Sequence, residues 1–97
     1  MILEKLNLLL DKLWNTLEKK DTYGRTITLK LRYKDFTTLT RSKSTKGFIK
    51  EKEDGRNIVS DLFHNMLPLE QTVRLLGLSV GNLNNEEPSI YRQLEIP

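Results

Sequence analysis

The first twenty residues alternate between apolar and polar positions with the period of a helix. Leucines recur every three or four positions from Leu3 to Leu17, and charged residues fill most of the positions between them. This spacing predicts an amphipathic helix over residues 2–20. Trp14 widens the apolar stripe, so we expect the helix to lie flat against a sheet. Gly24 follows the helix and is a residue suited to a left-handed connection.

After Gly24 the period changes from 3.6 to 2. Apolar residues from Ile27 to Tyr33 alternate with threonine, lysine and arginine, which predicts a strand with one buried and one solvated face. Residues 37–45 are rich in β-branched and hydroxyl side chains, and we interpret them as a second strand that follows a turn at 34–35.

The second half of the chain repeats the change of period and then becomes polar. Apolar residues from Lys52 onward have helical spacing, and Pro68 follows the expected end of this second helix. Residues 73–80 are apolar and branched, which favours a strand near the centre of a sheet. We therefore predict a folded domain over 1–83 and a flexible tail over 84–97, since the tail begins with a polar, acidic, proline-containing run.

The order of these elements predicts the fold class. Helix, strand, strand, helix and strand indicate an α+β fold, in which two helices cover one face of an antiparallel sheet. Three strands would leave the other face open to solvent. We expect Lys30, Arg32 and Lys34, with threonines between them, to occupy that open face.

Composition agrees with one small domain and adds a charge asymmetry. The 97 residues include no cysteine, and the net charge is +3. Residues 25–52 contain nine basic and two acidic side chains, a local charge of +7, so the remainder of the chain carries −4. A basic surface of this kind is typical of phosphate binding, although a solvated strand edge rich in lysine has the same composition. The sequence has no long apolar run and no leader, so we expect a cytoplasmic protein with no membrane partner.

The residue types argue against catalysis by this chain. It has a single histidine and no cysteine, so it lacks the residues of most metal and thiol sites. We interpret His64 as a surface residue of the second helix, and the adjacent Glu53 and Asp54 as favourable charges near its N-terminus. The glycines form no phosphate-binding loop motif. We therefore predict no catalytic residue and no cofactor or metal.

Phosphate binding needs only cations, hydroxyls and backbone amides along one line, and the two predicted strands supply them. The candidate DNA-binding residues are Lys30, Arg32, Lys34, Thr40, Arg41, Ser42, Lys43, Ser44 and Thr45.

Two stretches carry a resemblance to a known family. They are LKLRYKDFTTLTRS, residues 29–42, and VRLLGLSVGNL, residues 73–83. Together they resemble the little-finger domain of Y-family DNA polymerases, most closely the bacterial DNA polymerase IV branch. The resemblance implies a non-catalytic module whose sheet lies in the major groove of duplex DNA and grips primer and template through their phosphates. Such a module serves translesion synthesis in DNA repair.

The resemblance covers only part of what the family contains. The magnesium-dependent palm, the fingers and the thumb have no counterpart, so we interpret the chain as part of a DNA-directed DNA polymerase, with no nucleotidyl transfer of its own. The family's first strand, which precedes the first helix, is also not recognisable. Without it we expect the backbone of residues 73–83 to form an exposed edge, which could pair with a second copy.

The C-terminal residues resemble the family's peptide for the sliding clamp. Gln93, Leu94 and Ile96 match one polar and two apolar anchors of that peptide, whereas its final aromatic residue is missing.

Two other functions remain open from the residues. A small protein-interaction domain could pair an open sheet edge with a partner strand. An RNA-binding sheet is the third option, but the expected open face lacks paired aromatic residues for base stacking.

Overall fold

The computed structural model describes residues 2–85 and 87–96 and contains two helices and four strands. In chain order the elements are α1 (Ile2–Lys19), β1 (Gly24–Tyr33), β2 (Thr38–Ile49), α2 (Lys52–His64), β3 (Val73–Gly81) and β4 (Ser89–Glu95). The strands form one antiparallel sheet in the order β2-β1-β3-β4. Both helices pack on the same face of this sheet, which confirms the predicted α+β fold class.

The apolar stripe of α1 forms the centre of the core. Leu6, Leu10, Leu13 and Leu17 are fully buried, and α1 contacts β3 and β4 while α2 contacts β1 and β2. The helix-facing residues of the sheet are equally apolar, because the register of β1 and β3 pairs Ile27 with Val80, Leu29 with Leu78 and Leu31 with Leu76. The period-2 pattern of β1 therefore produces the buried face that the sequence predicts.

Gly55 has a packing role that explains a weak helix former inside α2. A Cβ atom at this position would lie 2.8 Å from Cζ3 of Trp14, a residue only 2% exposed. The indole Nε1 of Trp14 also donates a hydrogen bond to the carbonyl of Lys50 at 3.2 Å. The absent side chain of Gly55 thus allows α1 and α2 to approach closely at the tryptophan.

The prediction of a left-handed connection at Gly24 is wrong. No described glycine has a positive φ, and the left-handed residue after α1 is Asp21, with φ 49°. Gly24 is required instead for a close approach of backbones, since a Cβ there would lie 2.5 Å from the carbonyl oxygen of Gly81.

The C-terminal segment does not behave as the predicted flexible tail. Residues Ser89–Glu95 form β4, which pairs with β3 from Gly81↔Ser89 to Leu75↔Glu95. The prediction of an exposed β3 edge over 73–83 is therefore also wrong, because β4 occupies that edge. Ile90 is buried in the core and Leu94 packs against it, so the strand is held by apolar contacts as well as by backbone pairing.

The end of β2 also differs from the expectation. β2 continues through Ile49, four residues beyond the predicted end, because Ile49 is buried and pairs with Gly24. The register of β1 and β2 shifts between Gly24 and Thr26, so a bulge joins the two paired regions. Neither described helix is long and apolar enough to cross a membrane.

Candidate nucleic-acid interface

The face of the sheet that carries no helix is mostly polar, and we call it the polar face. Because side chains alternate along a strand, the residues paired with one another in register share a face. Its polar members are Thr26, Thr28, Lys30 and Arg32 from β1, Thr38, Thr40, Ser42 and Ser44 from β2, Ser79 from β3, and Ser89, Tyr91, Gln93 and Glu95 from β4.

Hydroxyl groups form a row along β2 on the polar face, and Thr26 and Thr28 of β1 make this row double at one end. Thr28 pairs with Ser42, and the hydroxyls of Thr26 and Ser44 lie 2.7 Å apart in a hydrogen bond. The amide of Asn82 also donates to the Thr26 hydroxyl at 2.6 Å, which closes the row at one end. Most of these hydroxyls lie on an exposed or half-buried surface, where they can donate hydrogen bonds to an anion.

Lys30 and Arg32 provide the cations of the polar face. Lys30 lies opposite Thr40 and Arg32 lies opposite Thr38, so each cation has a hydroxyl residue beside it. On the other side of this row the ring of Tyr91 lies against Gly77, where a Cβ atom would come within 2.9 Å of its Cε1. Burial raises the pKa of the Tyr91 hydroxyl, and the charge of Arg32 opposes this rise.

The structure separates Arg41 and Lys43 from the other candidate residues. Arg41 pairs with Leu29 and Lys43 pairs with Ile27, and both partners face the helices. The two cations therefore lie on the helix-facing side of β2, where they remain exposed because β2 is an edge strand. The nine candidate residues therefore do not all share one face of the sheet, and their role in DNA binding stays a prediction.

The remaining candidates lie at the two ends of the row. Lys34 follows β1 and its backbone N–H donates to the carbonyl of Thr72 at 2.9 Å, so it belongs to the turn after the strand. The hydroxyl of Thr45 donates within β2, to the Gly47 carbonyl at 2.7 Å. Thr40, Ser42 and Ser44 all lie on the polar face, as predicted.

The turn between β1 and β2 exposes an aromatic ring. Phe36 has φ 71° and is 63% exposed, an uncommon conformation for a bulky residue. Its backbone N–H donates to the carbonyl of Tyr33 at 2.9 Å, while a carboxylate oxygen of Asp35 accepts from the backbone of Thr37 at 3.0 Å. A hydrogen bond from Gln71 at 2.9 Å is the main cause that lowers the pKa of Asp35, and contacts from Thr37 add to it.

A groove of about 800 Å³ opens beside this turn at the end of the polar face. Its basic and aromatic lining comes from Arg32, Lys34, Phe36 and Arg74, and Glu95 is its acidic lining residue. The guanidinium of Arg74 lies over the ring of Phe36, 4.8 Å from its centroid. Sequence reasoning did not identify Phe36 or Arg74 as site residues, because the groove joins segments far apart in the chain.

Charge is distributed unequally between the two layers of the fold. The helices α1 and α2 together contain six acidic residues and five lysines and arginines, whereas residues 24–49 contain seven lysines and arginines and one acidic residue. The positive potential is therefore concentrated on β1, β2 and their turn.

The three residues predicted to bind a sliding clamp lie in or directly after β4. The Gln93 side chain accepts a hydrogen bond from the Tyr91 hydroxyl at 2.9 Å, Leu94 packs against the core, and the Ile96 backbone donates to the Arg74 carbonyl at 2.7 Å. All three are thus engaged within the domain.

The two-helix, four-stranded domain with one uncovered, mostly polar sheet face has the architecture expected of a little-finger domain. It belongs to the impB/mucB/samB family, whose C-terminal domain matches residues 1–96. The match includes β4, which the sequence interpretation had assigned to a tail.

Several curated relatives are named DNA polymerase IV. Those from Clostridioides difficile (strain 630), Streptococcus sanguinis (strain SK36) and Alkalilimnicola ehrlichii are 35%, 40% and 34% identical over 94%, 81% and 98% of this chain. The alignments cover 25%, 22% and 26% of those relatives. The chain therefore spans about a quarter of the length of the proteins it matches, and the resemblance to the Y-family domain is confirmed.

Proposed function

We propose that this domain binds duplex DNA through its phosphates, as the non-catalytic grip of a translesion DNA polymerase of the polymerase IV type. The observation that carries the proposal is the polar face itself, where Lys30 and Arg32 stand beside a row of hydroxyls. Phosphate oxygens accept hydrogen bonds from such groups without regard to base sequence. A polymerase that copies damaged templates needs this kind of contact, since base readout would stop at a lesion.

The charge distribution favours the sheet over the helices as the DNA surface. The nearly balanced charges of the helices give a polyanion no net attraction, while the β1–β2 hairpin attracts it. Part of this attraction comes from Arg41 and Lys43, which lie on the opposite side of an edge strand. We propose that these two residues contact the phosphates of a strand that passes the β2 edge.

Fluorescence anisotropy of labelled duplexes tests the proposal. If about four phosphates are neutralised, log K should fall with log salt with a slope of about −3.6, and unrelated duplexes of equal length should give the same affinity. A flat salt dependence, or a strong preference for one sequence, would refute phosphate binding by this face.

Partner-strand addition is the competing function, and β2 is the edge to consider. β4 covers β3, which leaves β2 and β4 at the sheet edges. β2 is exposed along most of its length, but its lysines and hydroxyls oppose pairing with another chain. Binding to a partner or to a second copy that is insensitive to salt would favour this alternative.

Clamp binding remains part of the proposal and now requires a conformational step. A peptide that docks in a pocket must present its apolar anchors, but Leu94 packs against the core of this domain. We propose that residues 93–96 bind a clamp only when this end of β4 leaves β3. Calorimetry with a bacterial clamp tests the proposal, and binding unaffected by Gln93→Ala and Leu94→Ala would exclude this segment as the docking peptide.

A further inference from the structure

The groove at the end of the polar face combines positive charge with an apolar surface. Its lining includes the cations Arg32, Lys34 and Arg74 and an apolar surface from Val73, Leu75 and Ile96. Its volume of about 800 Å³ lies within the range of small-ligand sites. A ligand that fits this lining has both negative charge and a flat apolar part.

Phe36 gives the groove an aromatic platform. The ring is 63% exposed, and its backbone has the left-handed conformation that favours glycine, yet hydrogen bonds within the turn hold it there. Strained residues that the surrounding structure fixes in place are frequent at binding sites. Arg74 covers part of the ring, and a guanidinium plane is itself a stacking surface for a base.

Arg32 supplies the second observation. Its Nε atom is buried and has no hydrogen-bond partner among the described residues. A buried donor without a partner is uncommon, and an anion that enters the groove would provide one.

We propose that this groove binds one unpaired nucleotide of single-stranded DNA, with the base stacked on Phe36 and the neighbouring phosphates held by Arg32 and Lys34. Bases inside a duplex stack on each other and offer no free face, so the ring can recognise only an unpaired base. The choice of DNA as the ligand rests on the proposed function. The inference adds that a single strand binds next to the residues that contact the duplex. Arg32 belongs both to the groove and to the polar face proposed to bind the duplex, so only the ring of Phe36 distinguishes the two sites.

The chain contains a matched control for the ring. Phe48 is 43% exposed at the far end of β2, and the guanidinium of Arg25 lies over its ring at 5.7 Å from the centroid. Phe48 therefore makes the same kind of Phe–Arg contact as Phe36 but does not line the groove. Phe36→Leu and Phe48→Leu therefore remove the same ring at two places and change no charge.

Anisotropy with a labelled oligothymidylate of about eight nucleotides and with a blunt duplex tests the proposal. Phe36→Leu should weaken binding of the single strand at least about fivefold and leave duplex binding unchanged, while Phe48→Leu should change neither. Thermal unfolding and circular dichroism confirm that each variant is folded.

Three results would overturn the inference. They are single-strand binding insensitive to Phe36→Leu, equal losses from Phe36→Leu and Phe48→Leu, and equal losses of single-strand and duplex binding in Phe36→Leu. If single-strand binding is insensitive to Phe36→Leu, an acidic peptide would be the remaining occupant that fits the positive charges of the groove. Failure of the parent chain to bind duplex, with Phe36-dependent binding of the single strand intact, would refute the proposed function but not this site.

Discussion

Replacing Lys30 and Arg32 together with alanine removes both cations that β1 places on the polar face. If each neutralises one phosphate, the slope of log K against log salt should change by about 1.8, from about −3.6 to about −1.8. If the parent and the variant bind equally at about 1 M salt, this change means an affinity loss of about 60-fold at 0.1 M and about 200-fold at 0.05 M.

Two further double variants locate the contact. Lys12→Ala with Lys19→Ala removes the same charge from α1, away from the sheet face, and should leave the slope within about 0.3 of the parent. Arg41→Ala with Lys43→Ala removes the same two positive charges from the other side of β2. The effect of this double variant on affinity measures how far the duplex extends around the β2 edge. We expect a loss smaller than that of the Lys30 and Arg32 variant.

The assay is fluorescence anisotropy of one labelled duplex at four or more salt concentrations, with thermal midpoints measured in parallel. Exposed charges contribute little to folding, so the midpoints of the Lys12 and Lys19 variant should match the parent. Equal slope changes from the polar-face and α1 variants would refute the reasoning, because binding would then follow net charge and not the polar face.

Three other predictions concern stability, measured by urea unfolding. Gly55→Ala should destabilise the domain by about 1 kcal/mol net, because the clash with Trp14 exceeds a helix-propensity gain of about 1 kcal/mol, and a more stable variant would contradict this packing. Leu94→Ala should cost about 1 kcal/mol and Gln93→Ala less than about 0.5 kcal/mol, whereas equal, negligible costs would mean that β4 is not docked. The pKa of Asp35 is lowered in the folded state, so its carboxylate stabilises the fold above its unfolded pKa, and this stabilisation is lost as the pH falls through its folded pKa. Asp35→Asn should therefore reduce the loss of stability in acid. An unchanged dependence of stability on acid pH would count against the hydrogen bonds of Asp35 with Gln71 and Thr37.

Periodicity predicted α1, β1 and α2, because each has its own buried face, whereas residue types predicted β2 and β3. The leucine spacing of α1 and the alternation in β1 both reflect a local pattern that tertiary packing did not overrule. The pattern missed β4, although Ile90, Leu94 and Ile96 occupy alternate positions. Arg92 interrupts this alternation at a helix-facing position, which is tolerated at the sheet edge because its guanidinium donates to the Thr16 hydroxyl at 2.8 Å.

The sequence predicted the residue types of the candidate site but not their arrangement on the sheet. Leu39 packs against the core, so alternation alone places Arg41 and Lys43 on its side of β2, away from the hydroxyl row. Residue type considered without strand parity therefore did not separate these two cations from the hydroxyl row. The groove could not be predicted from local sequence at all, since it depends on the turn at Phe36 meeting Arg74 on a different strand.

The arrangement of the sheet explains why a binding face can coexist with a stable small domain. The buried apolar side chains of both helices pack against one face of the sheet, so nothing in the core requires the polar face to be covered. The two edges of the sheet differ from each other. β4 covers the apolar strand β3 at one edge, whereas β2 forms the other edge and exposes lysines and hydroxyls to solvent. An uncovered apolar edge would favour aggregation, while a basic, hydroxyl-rich edge both resists strand pairing and attracts phosphate. If the polar face binds DNA as we propose, the same residues of the β1–β2 hairpin therefore both oppose pairing with another chain and attract the phosphates of the duplex.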